Sequence, residues 1–302
     1  MKYPAASSGE LARCDRKKED GMKNDSQVNQ SFAKVTLLPE EEVVEFWADC
    51  LFSALEDSSL VYKIFREVYG SASPGEELCP LSFVTKNDLE RCKEVLGLQP
   101  GMTLLDLACG SGGPGLWLAR ESGVNLIGVD ISIRALEQAA QRAIRFGIAK
   151  RVKYLHGSMK TTGLDSDSFD AVVSIDALWM ASDKRAVLQE VRRLLHSQGQ
   201  FVFTTWESRI PGTHHPTSDE YRSMLQDAGF QIQIYDETPN WEALQRGVYT
   251  QYLLRQKELE AEMGVSAAGI LVSEATGLTT TLADGTDRLS KNRRVFVATQ
   301  AV

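Results

Sequence analysis

Two textures alternate along the chain. Between residues 39 and 100, apolar positions recur at three- and four-residue steps, the period of a helix with one buried face. Pro39 suits a first helical position, and Glu40, Glu41 and Glu42 sit favourably near the positive end of the dipole. The helix they open carries Val43, Phe46, Trp47, Cys50, Leu51, Ala54 and Leu55 at helical spacing. A second, with Leu60, Val61, Ile64, Phe65 and Val68, ends near Gly70, and a third runs from about Lys86 to Leu96, with Gly97 as its stop. After Pro100 short apolar runs take over, at 102–108, 124–130, 151–157, 169–176 and 199–206, alternating with helical stretches. Continuous apolar runs are what strands buried on both faces need, so the pattern predicts βαβ units and a parallel sheet. Two more strands, 231–237 and 293–300, enclose an insertion where Trp241, Leu244, Val248, Tyr252, Leu259 and Met263 repeat at helical steps.

Residues 1–35 are polar and cannot bury enough surface to offset their ordering. The expected organisation is therefore a flexible tail at 1–35, a helical cap segment at 36–100, and a sheet domain at 101–302 with a helical insertion at about 239–290. Composition changes this picture little, since 43% hydrophobic and 25% charged residues are ordinary for a globular chain. Charge changes it more. With 33 Lys and Arg against 41 Asp and Glu, the net charge of −8 counts against a nucleic-acid or anionic-membrane surface and favours a small-molecule partner. The five cysteines (14, 50, 79, 92 and 109) are scattered without a CxxC pair, so neither a disulfide framework nor a metal site is expected. No apolar leader and no run of about 18 apolar residues is present, which leaves the reducing cytoplasm as the expected location.

The chemistry concentrates in one segment, Leu104-Leu105-Asp106-Leu107-Ala108-Cys109-Gly110-Ser111-Gly112-Gly113-Pro114-Gly115. A strand runs into small residues and then a helix, so the backbone turns tightly and a ligand can approach the main chain beside free helical N–H groups. The next strand closes on Gly128-Val129-Asp130-Ile131-Ser132, where an acid can accept hydrogen bonds from both hydroxyls of a ribose. Gly110, Gly112 and Gly115 also satisfy GxGxxG, a weak signal for a dinucleotide. Asp106 separates the two readings, because a carboxylate four residues before Gly110 repels a pyrophosphate and welcomes an ammonium or sulfonium. Asp130 could instead cap the following helix, a task for which Ser132 is better suited.

The combination Asp-x-x-x-Gly-x-Gly, with Asp130 closing the second strand, resembles motif I and the next acidic position of class I S-adenosylmethionine-dependent methyltransferases, over about residues 101–206. The phrase GSGGPGLWLAR…GVDIS is similar to that of bacterial small-molecule and natural-product members. The resemblance implies a Rossmann-like α/β sheet with helices on both faces, an antiparallel last strand and an added helical cap, with S-adenosyl-L-methionine as cofactor. It implies that Asp106 and the loop Ala108, Cys109, Gly110 and Gly112 hold the amino-acid moiety, Asp130 the ribose, and Ile131 the adenine. Ser158, beside Met159, stands where relatives commonly carry an Asp for the adenine amino group, and Ala108 replaces a frequent Gly. Asp176, at the end of the fourth strand, would lie beside the transferable methyl.

Methyl transfer from a sulfonium is an in-line displacement that depends chiefly on alignment. An O, N or acidic C acceptor can call for a base, and His serves best near neutral pH. His196 falls on the far edge of the sheet and His156 at a strand end, which leaves His214 and His215, in the loop after the fifth strand, as candidates, with Asp176 as the alternative. Trp179, Trp206, Tyr249 and Tyr252 are the expected substrate walls, with Phe52 and Tyr62 further possibilities on the first helices. The reaction expected is methylation of a small, largely apolar metabolite; the alternative is a methyltransferase-fold cyclase, or another non-methylating enzyme, that retains the cofactor.

Overall fold

The computed structural model describes residues 39–56, 58–75, 81–211 and 215–302; the expected tail, His214 and the side chain of Trp47 lie outside that description. Seven strands form one sheet: β1 (Thr103–Leu107), β2 (Asn125–Asp130), β3 (Val152–His156), β4 (Phe169–Ile175), β5 (Leu195–Ser208), β6 (Phe230–Glu237) and β7 (Asn292–Ala301). Their order is β3-β2-β1-β4-β5-β7-β6. The pairs β1–β2, β1–β4, β2–β3 and β4–β5 are parallel, and β7 runs antiparallel between β5 and β6. This is the Rossmann-like class I methyltransferase sheet, with its antiparallel last strand.

Alternation along the strands divides the core. Leu104, Ala171, Val173 and Val202 face one side, against α3 (Lys86–Val95), α4 (Gly113–Ser122) and α5 (Ile133–Arg145). Leu105, Val172, Phe201 and Phe203 face the other, against α6 (Lys184–Leu194) and α7 (Ser218–Asp227). A third apolar cluster joins α1 (Pro39–Glu56) and α2 (Ser59–Tyr69) to α8 (Trp241–Leu254), α9 (Gln256–Met263) and α10 (Val265–Thr279), with Phe83 and Trp206 among its members. The two helical segments, separated in sequence by β1 to β6, thus share one core at the carboxyl edge of β5.

Helix ends follow local chemistry. Ser58, Thr85 and Ser132 each cap a helix by accepting from a backbone N–H three residues on. The insertion is three helices rather than one, interrupted at Arg255 and at Gly264, whose φ is 81°. β5 starts at Leu195 rather than 199, because an irregularity opposite Phe169 and Ala171 lets the chain pair early and leaves His196 exposed. Cys92 and Cys109 are free and buried, whereas Cys50 is disulfide-bonded, a bridge the scattered spacing did not signal.

Candidate active site

The glycine loop joins β1 to α4 beneath α1. Gly110 and Gly112 take φ of 51° and 82°, the left-handed region that costs a side chain most, and Ala108 takes 59° despite its Cβ. Close approach constrains the loop as well: a Cβ on Gly115 would lie 2.3 Å from Asp106 Oδ2, and one on Gly128 2.6 Å from the Tyr154 ring. The ring of Phe52, on α1, covers the loop, 3.1 Å from where a Gly110 Cβ would stand. Within the loop Ser111 is buried and its hydroxyl meets no partner among the described residues, as does the Tyr154 hydroxyl below Gly112. A buried polar atom left this way fits a loop shaped for a polar ligand.

Two acids flank the loop on adjacent strands, and neither meets a cation among the described residues. Asp106, 2% exposed, accepts a hydrogen bond from the Gly115 N–H at 3.1 Å. Burial pushes its pKa up to about 7; the Gly115 bond opposes this and the Asp130 charge adds to it. Asp130 accepts from the Gly110 N–H at 2.7 Å and the Ser132 N–H at 2.8 Å. Burial raises it to about 6, against those two bonds and with the help of Asp49. Ser132, not Asp130, supplies the hydroxyl that caps α5. Cys109 is a buried, small loop residue whose thiol desolvation holds well above its ordinary pKa, the opposite of a nucleophile's environment.

The helix α1 ties itself to this edge through polar groups that its apolar periodicity did not reveal. Asp49 Oδ1 accepts from Ser132 Oγ at 2.6 Å and from the Arg134 N–H at 3.2 Å, and Gln138 Nε2 donates to the Phe52 carbonyl at 2.8 Å. His156, buried at the end of β3, places Nε2 3.1 Å from Glu45 Oε1 and 3.0 Å from the Ile131 carbonyl. Ile131 itself is half-buried. Ser158 is buried, its hydroxyl accepting from the Lys160 and Thr161 N–H groups, both at 3.2 Å, as a turn residue does. Met159 packs against the opposite core.

The β4–β5 end is built differently. Asp176, at φ 55°, is wholly engaged: Thr204 Oγ1 and Arg294 Nε donate to Oδ1 at 2.7 and 2.8 Å, while Ser82 Oγ and the Phe83 N–H donate to Oδ2 at 2.9 and 2.8 Å. Arg294, 1% exposed, also donates to Asp88 at 3.0 Å. A carboxylate with both oxygens so engaged is a structural anchor with no oxygen turned to a substrate, which departs from the expectation for Asp176. Around it stand Trp179, Trp206, Phe83 and Tyr249. Trp179 and Trp206 meet edge-on with centroids 6.1 Å apart, and Phe83 lies 5.8 Å from Trp206 and 5.7 Å from Tyr249. Tyr252 lies 6.4 Å from Tyr249, and half-buried His215 sits 5.9 Å from Trp179. Tyr62 is half-buried on α2, beside Arg142.

The profile of a methyltransferase domain matches residues 98–257, more than half of the chain. The chain belongs to this methyltransferase domain family. A sterol 24-C-methyltransferase of Yarrowia lipolytica is 33% identical over 129 residues, covering 43% of this chain and 33% of that protein. The methyltransferase GfsG of Streptomyces halstedii is 30% identical over 134 residues, 44% of this chain and 48% of the relative. This chain spans only about a third of the length of the sterol and phosphoethanolamine methyltransferases it matches. Among solved structures, the [4+2]-cyclase SpnF superposes with a TM-score of 0.68 at 18% identity, over 89% of this chain and 98% of that one. The geranyl diphosphate C-methyltransferase of Streptomyces coelicolor A3(2) gives 0.60 at 17% identity, over 89% and 100%. These likenesses, at under 25% identity, show the fold, over 89% of the chain. No helix among the described residues is long and apolar enough to cross a membrane.

Proposed function

We propose that this methyltransferase domain uses S-adenosyl-L-methionine to methylate O, N or C of a small, largely apolar metabolite, in natural-product biosynthesis in the cytoplasm. The observation that carries the reading is the pair Asp106 and Asp130: buried, raised by burial, held by backbone N–H groups and met by no cation among the described residues. When bound, the cofactor supplies an electrophilic methyl group on a cationic sulfur. Asp130 would accept from the ribose hydroxyls, its present N–H partners holding it in place. Asp106 would face the ammonium end, with Ala108, Cys109, Gly110 and Gly112 presenting backbone rather than bulk. Ile131 would pack on the adenine, with Ser158 and Met159 at its rim. Phe52 and the rest of α1 would exclude water, which strengthens every charge interaction inside.

The aromatic group at the β4–β5 edge supports an apolar acceptor, with Trp179, Trp206, Tyr249 and Tyr252 as its walls. His215 is the base candidate that the description covers, beside Trp179; His214 remains a candidate from its sequence neighbourhood. Asp176 would act by fixing the segment before α3 against this edge. Nucleic acid is not an expected partner, given the net charge of −8. Calorimetry with S-adenosylmethionine and with NAD tests the cofactor class: heat with the first and none with the second is expected, and the reverse refutes the reading. The SpnF likeness motivates a second reading, a cofactor-retaining cyclase. Release of S-adenosylhomocysteine in step with product supports methylation, and product without it supports the cyclase.

A further inference from the structure

Inside the helical cap runs a line of hydrogen bonds that the cofactor site does not use. Trp206 Nε1 donates to Gln245 Oε1 at 3.0 Å, Gln245 Nε2 donates to the Tyr249 hydroxyl at 2.7 Å, and that hydroxyl donates to Glu274 Oε1 at 2.7 Å. The direction is forced. An indole N–H can only donate, so the Gln245 carbonyl faces it, the amide hydrogens face Tyr249, and the phenol hydrogen is left for Glu274. Trp206, Gln245 and Tyr249 are buried, whereas Glu274 is half-buried on α10. No donor among the described residues reaches its second oxygen, Oε2. Around the line lie Phe83, Tyr252, Ala268, Leu271 and Ala275, so an ionisable group there has little reason to be present for packing.

Resting on the methyl-transfer reading above, we infer that Glu274 Oε2 receives the acceptor substrate, an apolar molecule carrying one O–H or N–H donor, and takes its proton. The X–H bond breaks with its electron pair left on X, where it serves as the nucleophile, and an O–H bond forms on Glu274. Oε1 is committed to Tyr249, whose phenol burial holds well above its ordinary pKa, so the hydroxyl stays a donor and aims Oε2. Burial also raises the carboxyl of Glu274, with the Tyr249 bond opposing it, which makes the carboxylate a stronger base than an exposed one. The proposal narrows the acceptor atom to O or N and gives the aromatic walls a polar end.

The test compares 2-naphthol with 2-methoxynaphthalene, which differ in the O–H donor, by equilibrium dialysis against the full chain saturated with S-adenosylhomocysteine. The naphthol-to-ether affinity ratio is expected to fall about tenfold on going from wild type to Glu274→Gln, and as far in Glu274→Met, which keeps the volume and drops the polarity. A ratio unmoved by both substitutions, or no binding of either probe to wild type, overturns the proposal. Calorimetry with S-adenosylhomocysteine on the same proteins keeps the two readings apart. Loss of that heat in wild type defeats the cofactor reading, whereas intact heat with an unmoved ratio defeats only the role of Glu274.

Discussion

Three buried acids at the carboxyl ends of β1, β2 and β4 sit in two opposite settings. At the end of β4, Asp176 is neutralised by Arg294 and saturated by three further groups, Arg294 being shared with Asp88. At the ends of β1 and β2, Asp106 and Asp130 receive backbone N–H groups alone among the described residues, with no cation beside them there. Burying an unpaired carboxylate is costly, so a fold that neutralises one acid and spares two on the same edge leaves the spared pair for a cation from outside. The difference separates the part of the edge that holds the chain together from the part that, under the proposed function, would hold the cofactor.

Breaking the paired side has the largest expected effect. Arg294→Met strands two buried carboxylates and is expected to cost about 3–5 kcal/mol, read as a lower urea midpoint, with part recovered on adding Asp176→Asn. Asp130→Asn on the unpaired side reverses the pattern. Affinity for S-adenosylmethionine is expected to fall at least about 100-fold, or about 2.7 kcal/mol, while the melting temperature holds or rises, because the removed charge met no cation among the described residues and an amide oxygen can still accept a backbone N–H. Phe52→Ala is expected to weaken cofactor binding about tenfold by uncovering Gly110, with the fold retained; calorimetry on the purified variant checks it. Smallest is Ala108→Gly, which removes a Cβ from φ 59° and is expected to stabilise by up to about 1 kcal/mol in thermal melts.

The unpaired side was the legible side. Asp106, the loop and Asp130 announce themselves because strand, turn and acid follow one another within 25 residues, and the strand periods placed the sheet almost throughout. The paired side was hidden, because Arg294 meets Asp176 and Asp88 across 118 and 206 residues, and nothing local marks an arginine on an apolar strand as their partner. From the sequence Asp176 therefore reads as a group beside the chemistry, whereas its partners make it an anchor. Glu274 is hidden for the same reason. An acid on a helix looks like a solvent-facing residue until Tyr249, 25 positions earlier, is seen donating to it. Asp49 and Glu45 on α1 belong to this class too, their partners Ser132 and His156 lying far along the chain.

Proton release on cofactor binding tests the central claim most directly. Asp106 and Asp130, raised to about 7 and about 6, bind more protons folded than unfolded. The ligand-free fold therefore loses stability as pH rises from about 4 through 7, and a cation that ionises them returns it. Calorimetric titration with S-adenosylmethionine at pH 6, in two buffers of different ionisation enthalpy, should show about one proton released per cofactor bound, with affinity tightening as pH rises through 7. The release should shrink in Asp130→Asn. Equal heats in both buffers and an affinity flat with pH would contradict the account.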